Sequence, residues 1–269
     1  MNSKKLRELE TQLSTLQLKK QNLVLKEDTT IIIEKDSTYT IEILNSLQLT
    51  IMNEKESYCE IQITVKKHCI VDIIEFISNK ESKYLRVINQ QSNSSVHVSQ
   101  LIFNNTYIKT ESNLDYNANY TLKSAYLNDS CESIIINSAT HKENDSKSNL
   151  LIRGAAKNNS IINNDGIISI NPDANNSEGH QSIKNIILDS TTKIHSEPIL
   201  EIHNHNVFCS HGASTSKIED EVISYIESRG LTKEQATKMI IEGFFYDSLS
   251  SIRKENLDIN QKIEEKLLF

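Results

Sequence analysis

The chain has 269 residues, 37% of them hydrophobic, and a formal net charge of −7. The acidic balance argues against a general nucleic-acid binder, which needs clustered Lys and Arg to neutralise phosphates. No stretch approaches the ~20 consecutive apolar residues of a membrane span. The four cysteines, Cys59, Cys69, Cys131 and Cys209, contain no CxxC pair, which speaks against a zinc ribbon, and a disulfide framework is not expected in a chain of this size without an export signal. They read as reduced thiols, with Cys59, Cys69 and Cys131 in the core.

Residues 1–24 form the first zone. Leu6, Leu9, Leu13, Leu16 and Leu23 recur at alternating three- and four-residue steps, the spacing of one amphipathic helix of heptad type. The segment is charged and lacks the continuous apolar core of a secretory leader, so the expected location is the cytoplasm.

The second zone, 25–212, changes to a strand period. Short Ile/Val/Leu-rich pieces recur: Thr30–Ile33, Tyr39–Leu44, Glu60–Val65, Ile70–Phe76, Ser95–Phe103, Ser133–Asn137, Asn149–Ile152, Ile167–Ile170, Asn185–Leu188 and Ile199–His203. Polar corners rich in Asn and Ser separate them, and these residues suit turns because they bond locally and Asn tolerates a left-handed backbone. No credible amphipathic helix intervenes, which excludes βαβ folds and leaves a sandwich, a barrel or a β-solenoid. Asn164-Asp165-Gly166 is the best hairpin signal. Sparse hairpin turns and apolar residues in runs favour a parallel β-helix with irregular rungs.

The third zone, 213–269, is helical. Ser216-Lys217-Ile218-Glu219 reads as a capping box opening a helix, Arg229-Gly230 as its stop, and Thr232 to Gln235 as a second capping box. A third helix is expected over roughly Leu249 to Leu268. There is no GxxxxGK[ST] phosphate loop, so no ATP should bind, and no GxSxG or HExxH nominates an enzyme.

The segment Leu200-Glu201-Ile202-His203-Asn204-His205-Asn206-Val207-Phe208-Cys209-Ser210-His211-Gly212-Ala213 resembles the C-terminal signature of the SufB/SufD family of iron–sulfur cluster assembly scaffolds. The following EDEVISYIESRG (219–230) and LTKEQATKMIIEGFF (231–245) fit it too, as do Ser148 to Gly154, His141 just before them, and Gln181 to Leu188. The resemblance covers residues 141–246 most closely and reaches back to about residue 58. It implies a right-handed parallel β-helix core with a helical C-terminal region. Cys209-Ser210-His211-Gly212 is the SufD form. Ile183 stands where SufB carries a cluster-building cysteine, and the short N-terminal region also points to the SufD type, whereas Thr215 to Ile218 looks more like SufB.

The resemblance further implies that His211 helps hold a transient iron–sulfur cluster at an interface with a SufB-like subunit, with Cys209 beside it as ligand or interface residue. His203 and His205 are weaker candidates: on an extended strand all four odd-numbered side chains would share one face, and thiolate and imidazole both suit iron. For the helical zone it implies docking of a SufC-like ABC ATPase, with Met239, Ile240, Gly243, Phe244 and Phe245 as the candidate face. The alternative for those helices is a hydrophobic cap on the open end of the β-helix. His141 is expected to hydrogen-bond within a rung. Alternatives for the whole chain are a purely structural subunit that stabilises its SufB partner, a homodimer in isolation, and a β-helix enzyme acting on polysaccharide.

Overall fold

The computed structural model describes residues 19–78, 82–104 and 107–253. They form two eight-stranded parallel sheets, each built from every second strand of the chain. Sheet A holds β1 (Lys19–Leu25), β3 (Ser37–Ile43), β5 (Tyr58–Val65), β7 (Lys83–Gln90), β9 (Tyr107–Leu114), β11 (Glu132–His141), β13 (Ile161–Ile170) and β15 (Lys193–Ile202). Sheet B holds β2 (Thr29–Ile33), β4 (Leu47–Asn53), β6 (Ile70–Ser78), β8 (Ser95–Phe103), β10 (Asn119–Asp129), β12 (Lys147–Lys157), β14 (Glu178–Ile187) and β16 (Phe208–Lys217). Each strand pairs with the strand two further on, so the chain winds as a parallel β-solenoid whose two sheets face each other.

The coils lengthen along the chain. Gln21 and Tyr39, bonded between neighbouring coils, are 18 residues apart, whereas Asn159 and Thr191 are 32 apart. β2 has 5 residues and β12 has 11. A growing period explains why no fixed repeat is visible in the sequence.

Both turn columns rest on left-handed corners. His68, Asn93, Asn117, Asp145 and Asn176 have positive φ on one side, and Asn104, Ser130, Asn158 and Asn159 on the other. Asn side chains stack from coil to coil: Asn117 Nδ2 donates to Asn93 Oδ1 at 2.8 Å, and Asn206 Nδ2 to Asn176 Oδ1 at 2.8 Å. Asparagine thus does the work that glycine does in most turns.

Between the sheets lies the main core, with Ile41, Ile63, Val98, Leu122, Ile152 and Ile183 among its members. A second apolar cluster lies on the outer face of sheet B, where Met52, Phe76, Leu101, Phe103 and Leu127 meet the C-terminal helices. Those helices are α1 (Asp220–Glu227), α2 (Lys233–Phe244) and α3 (Tyr246–Arg253). Ile241, Phe245 and Ile252 are the residues they bury in this cluster, and α3 lies over β8 and β10. Coverage on both faces is why β6 and β8 carry apolar residues in runs rather than in strict alternation.

Several expectations change. Residues 19–24 form strand β1 rather than helix, because Leu23 pairs with Ile41 in sheet A; residues 1–18 of the expected helix lie outside the described residues. Asn164-Asp165-Gly166 is no hairpin but the middle of β13. There the missing side chain makes room: a Cβ on Gly166 would stand 2.3 Å from Gln181 Oε1. The Ser216 capping box does not form, since strand β16 runs to Lys217, past the expected core limit at 212, and α1 starts at Asp220 with no side-chain cap. The Thr232–Gln235 capping box is present, and Gly230 ends the preceding turn with φ +94°. The third helix begins at Tyr246, and its expected continuation beyond Arg253 lies outside the described residues. Among the described residues, α2 and α3 cover the flank of sheet B rather than an end of the solenoid, because that flank carries the apolar residues they need.

Candidate functional site

Among the described residues, the last coil of the solenoid is formed by β15 and β16. Gly179 pairs with Cys209 and Gln181 with His211. Cys209 packs against the main core, and a Cβ on Gly179 would lie 3.4 Å from its Sγ. Cys209 therefore faces inward, and strand alternation sends His211, two residues on, to the same side. Among the described residues no further strand stacks on that side, and His211 is exposed while Cys209 is half-buried. Burial pushes the Cys209 thiol up, against a lowering contribution from the Gly179 backbone.

His203 and His205 do not continue this face. They lie in the turn between β15 and β16, where strand alternation no longer holds, so the four-residue face expected from odd numbering does not form. Among the described residues no group of three or more His, Cys, Asp and Glu side chains is arranged to hold a metal ion.

The two free edges of this coil differ. Lys193 N–H bonds to the Ser160 carbonyl just before β13 and His203 N–H to the Ile170 carbonyl at its end, so alternation turns the even-numbered positions of β15 outward, and one of them is Pro198, which has no N–H. Phe208 N–H bonds back to Ser177, which leaves the N–H groups of Cys209, His211, Ala213 and Thr215 facing away from β14. β16 has no proline and no charged residue before Lys217. It is the edge that can accept another strand.

Beneath this coil the interior is polar. Tyr126 OH donates to Asn185 Oδ1 at 2.7 Å, and Asn185 Nδ2 donates to Ser196 Oγ at 2.8 Å and to Thr215 Oγ1 at 3.2 Å. Gln181 Nε2 donates to the Ile199 carbonyl across the interior at 3.0 Å, while its Oε1 has no donor. A second polar group sits midway along the solenoid. Glu75 accepts from Tyr84 OH at 2.6 Å and from Gln100 Nε2 at 2.8 Å. Arg86 Nη1 lies 2.9 Å from Glu75 Oε1 as an ion contact without hydrogen-bond alignment, and Arg86 Nη2 donates to Tyr120 OH. Sequence reading missed both groups. Their one signal was a polar residue at an inward position of a strand, and that position is known only once the register is known.

Cys59 and Cys69 are buried as expected, and burial pushes Cys59 up to about 12; Cys131 is only half-buried, at a turn. His141 is a rung hydrogen-bonder, with its two ring nitrogens 2.8 Å from Ser146 Oγ and 2.8 Å from Ser148 Oγ. Of the expected docking face, Met239 and Gly243 are exposed, Ile240 and Phe244 half-buried. Phe245 is fully buried against sheet B. It is a core residue, and a partner could reach it only by lifting the helix off the sheet.

Residues 16–244 match the family model described as the SUF system FeS cluster assembly SufBD core domain. The chain is 34% identical over 92 residues to the iron–sulfur cluster assembly protein SufD of Escherichia coli, which is 34% of this chain and 22% of that protein. It is 29% identical over 120 residues to a SufBD family protein of Mycobacterium leprae, 42% of this chain and 31% of that one. A SufBD family protein of the alga Antithamnion is 30% identical over 115 residues, 43% of this chain and 39% of that one. The aligned stretches thus span well under half of each relative.

Proposed function

The chain belongs to the SufBD family of iron–sulfur cluster assembly proteins, and from that premise we propose that it is a SufD-like, non-catalytic scaffold subunit acting in the cytoplasm. In this reading its last coil meets a SufB-like partner and the two build a transient cluster between them. The carrying observation is the exposed, inward-facing His211 on β16, the last strand of sheet B among the described residues, with Cys209 two residues away. A cluster takes about four protein ligands, and this face offers two, so the remainder would come from the partner. Cys209 is held up by burial and packs as core, whereas His211 is the freer donor. The partner's edge strand would add to β16, where N–H and C=O groups stand unpaired, and not to β15, which Pro198 interrupts. The SufC-like ATPase would dock on the helices around Met239 and Gly243.

The test is co-expression with SufB- and SufC-like neighbours and purification through a tag on this chain alone. We expect a ternary complex that takes up iron and sulfide, and loss of uptake but not of the complex in His211→Ala. Normal uptake in His211→Ala combined with Cys209→Ser would leave the purely structural reading, which the packing of Cys209 into the core favours. Recovery of the chain only as a lone monomer would overturn both.

A further inference from the structure

We propose that Gln181 is a positioning residue for His211, its carboxamide oxygen taking the ring N–H that does not face the metal. The inference rests on the reading of His211 just given.

Leu150, Gln181 and His211 occupy one register position on β12, β14 and β16. Gln181 is therefore the polar side chain directly beneath His211 on the inward face, one strand spacing away, which is about 4.8 Å. Its relative exposure is 4%. Its Nε2 is committed to the Ile199 carbonyl, which fixes the amide orientation and leaves Oε1 as a buried acceptor without a donor. Gly166 supplies the space in which that oxygen stands.

A buried acceptor left unpaired keeps the cost of its lost hydration. The mirror-image problem arises at His211. While the end is open, water satisfies both ring nitrogens. Once a partner covers the coil, one nitrogen can face iron but the other N–H loses its water. Metal-bound histidines almost always donate that second N–H to a carboxylate or carbonyl, which sets the tautomer. The unpaired Gln181 oxygen and the His211 N–H answer each other's need, and in this proposal the His211 ring turns inward over its register neighbour Gln181 when the partner seats.

The test uses the full ternary complex and compares Gln181→Glu with Gln181→Met. Glu keeps an acceptor oxygen but loses the donor to Ile199; Met loses both at similar length. The first readout is the ring ¹⁵N spectrum of labelled histidine in the metal-free complex, with the His211 signals assigned by their loss in His211→Ala. The second is iron retention. We expect a single fixed His211 tautomer in wild type and in Gln181→Glu, and a tautomer mixture in Gln181→Met with iron retention about 10- to 100-fold weaker. Equal loss in both variants, with lowered melting temperatures, would mark Gln181 as a mere strut to Ile199 and overturn the proposal. So would a Gln181→Met complex with wild-type spectrum and retention. If His211→Ala itself retains iron normally, the reading of the site fails, and that failure is seen independently of the Gln181 variants.

Discussion

His141 shows how a single buried side chain links sequence to acid stability. It has no exposure and sits among serine hydroxyls. Desolvation lowers its pKa from 6.5 to about 4, against a smaller raising contribution from Ser146. The unfolded chain therefore binds the proton first. Stability from this residue is fully present above about pH 6.5, falls as the pH drops, and is fully lost below about 4. The shift corresponds to roughly 3 kcal/mol. Urea melts across this range should show that slope in wild type and lose it in His141→Gln. Gly154 is a second case: a Cβ there would stand 2.0 Å from Tyr126 Cζ. The ring cannot retreat, because its hydroxyl is held by Asn164 and Asn185. Gly154→Ala should cost about 1–3 kcal/mol by overpacking, and pairing it with Tyr126→Leu should recover part of the loss in chemical denaturation.

At the scale of elements, the helices divide into a packed side and a free side. Phe245 fills the seam between the helices and sheet B, so Phe245→Ala should lose about 3–5 kcal/mol, with early proteolysis in the C-terminal region. Met239 is 52% exposed, so Met239→Ala should leave the melting temperature unchanged. If it then weakens ATPase capture in pull-downs, the docking face is the outer side of α2. Equal thermal losses in the two variants would contradict this division.

Across the whole molecule, the buried ion pair joins the two sheets. Glu75 stands on β6 of sheet B and Arg86 on β7 of sheet A, both fully buried. Removing one partner strands a charge in the core. Glu75→Leu or Arg86→Met alone should therefore cost about 3–5 kcal/mol, while the double replacement costs much less. A double-mutant cycle by denaturant unfolding measures the coupling, and additive losses would show that the pair does not act as a unit.

What the sequence by itself determined is local. Strand segments were legible wherever apolar residues clustered between Asn-rich corners, because those corners need left-handed backbone that Asn accepts. The Gly230 stop and the Thr232 capping box were legible because each is settled within one turn. The signature around Cys209 and His211 carried the family. Only the tertiary structure decided what depends on register. Polar strands such as Lys83–Gln90 and Tyr107–Leu114 escaped notice because half of their positions face inward regardless of polarity. Gly166 looked like a turn because its glycine is needed by Gln181 on another sheet. Phe245 looked like a docking anchor because nothing in its neighbourhood in sequence tells that it joins Phe76 and Phe103 in one buried cluster. Side chains far apart in the chain set these outcomes, and they meet only when parallel coils stack in one register.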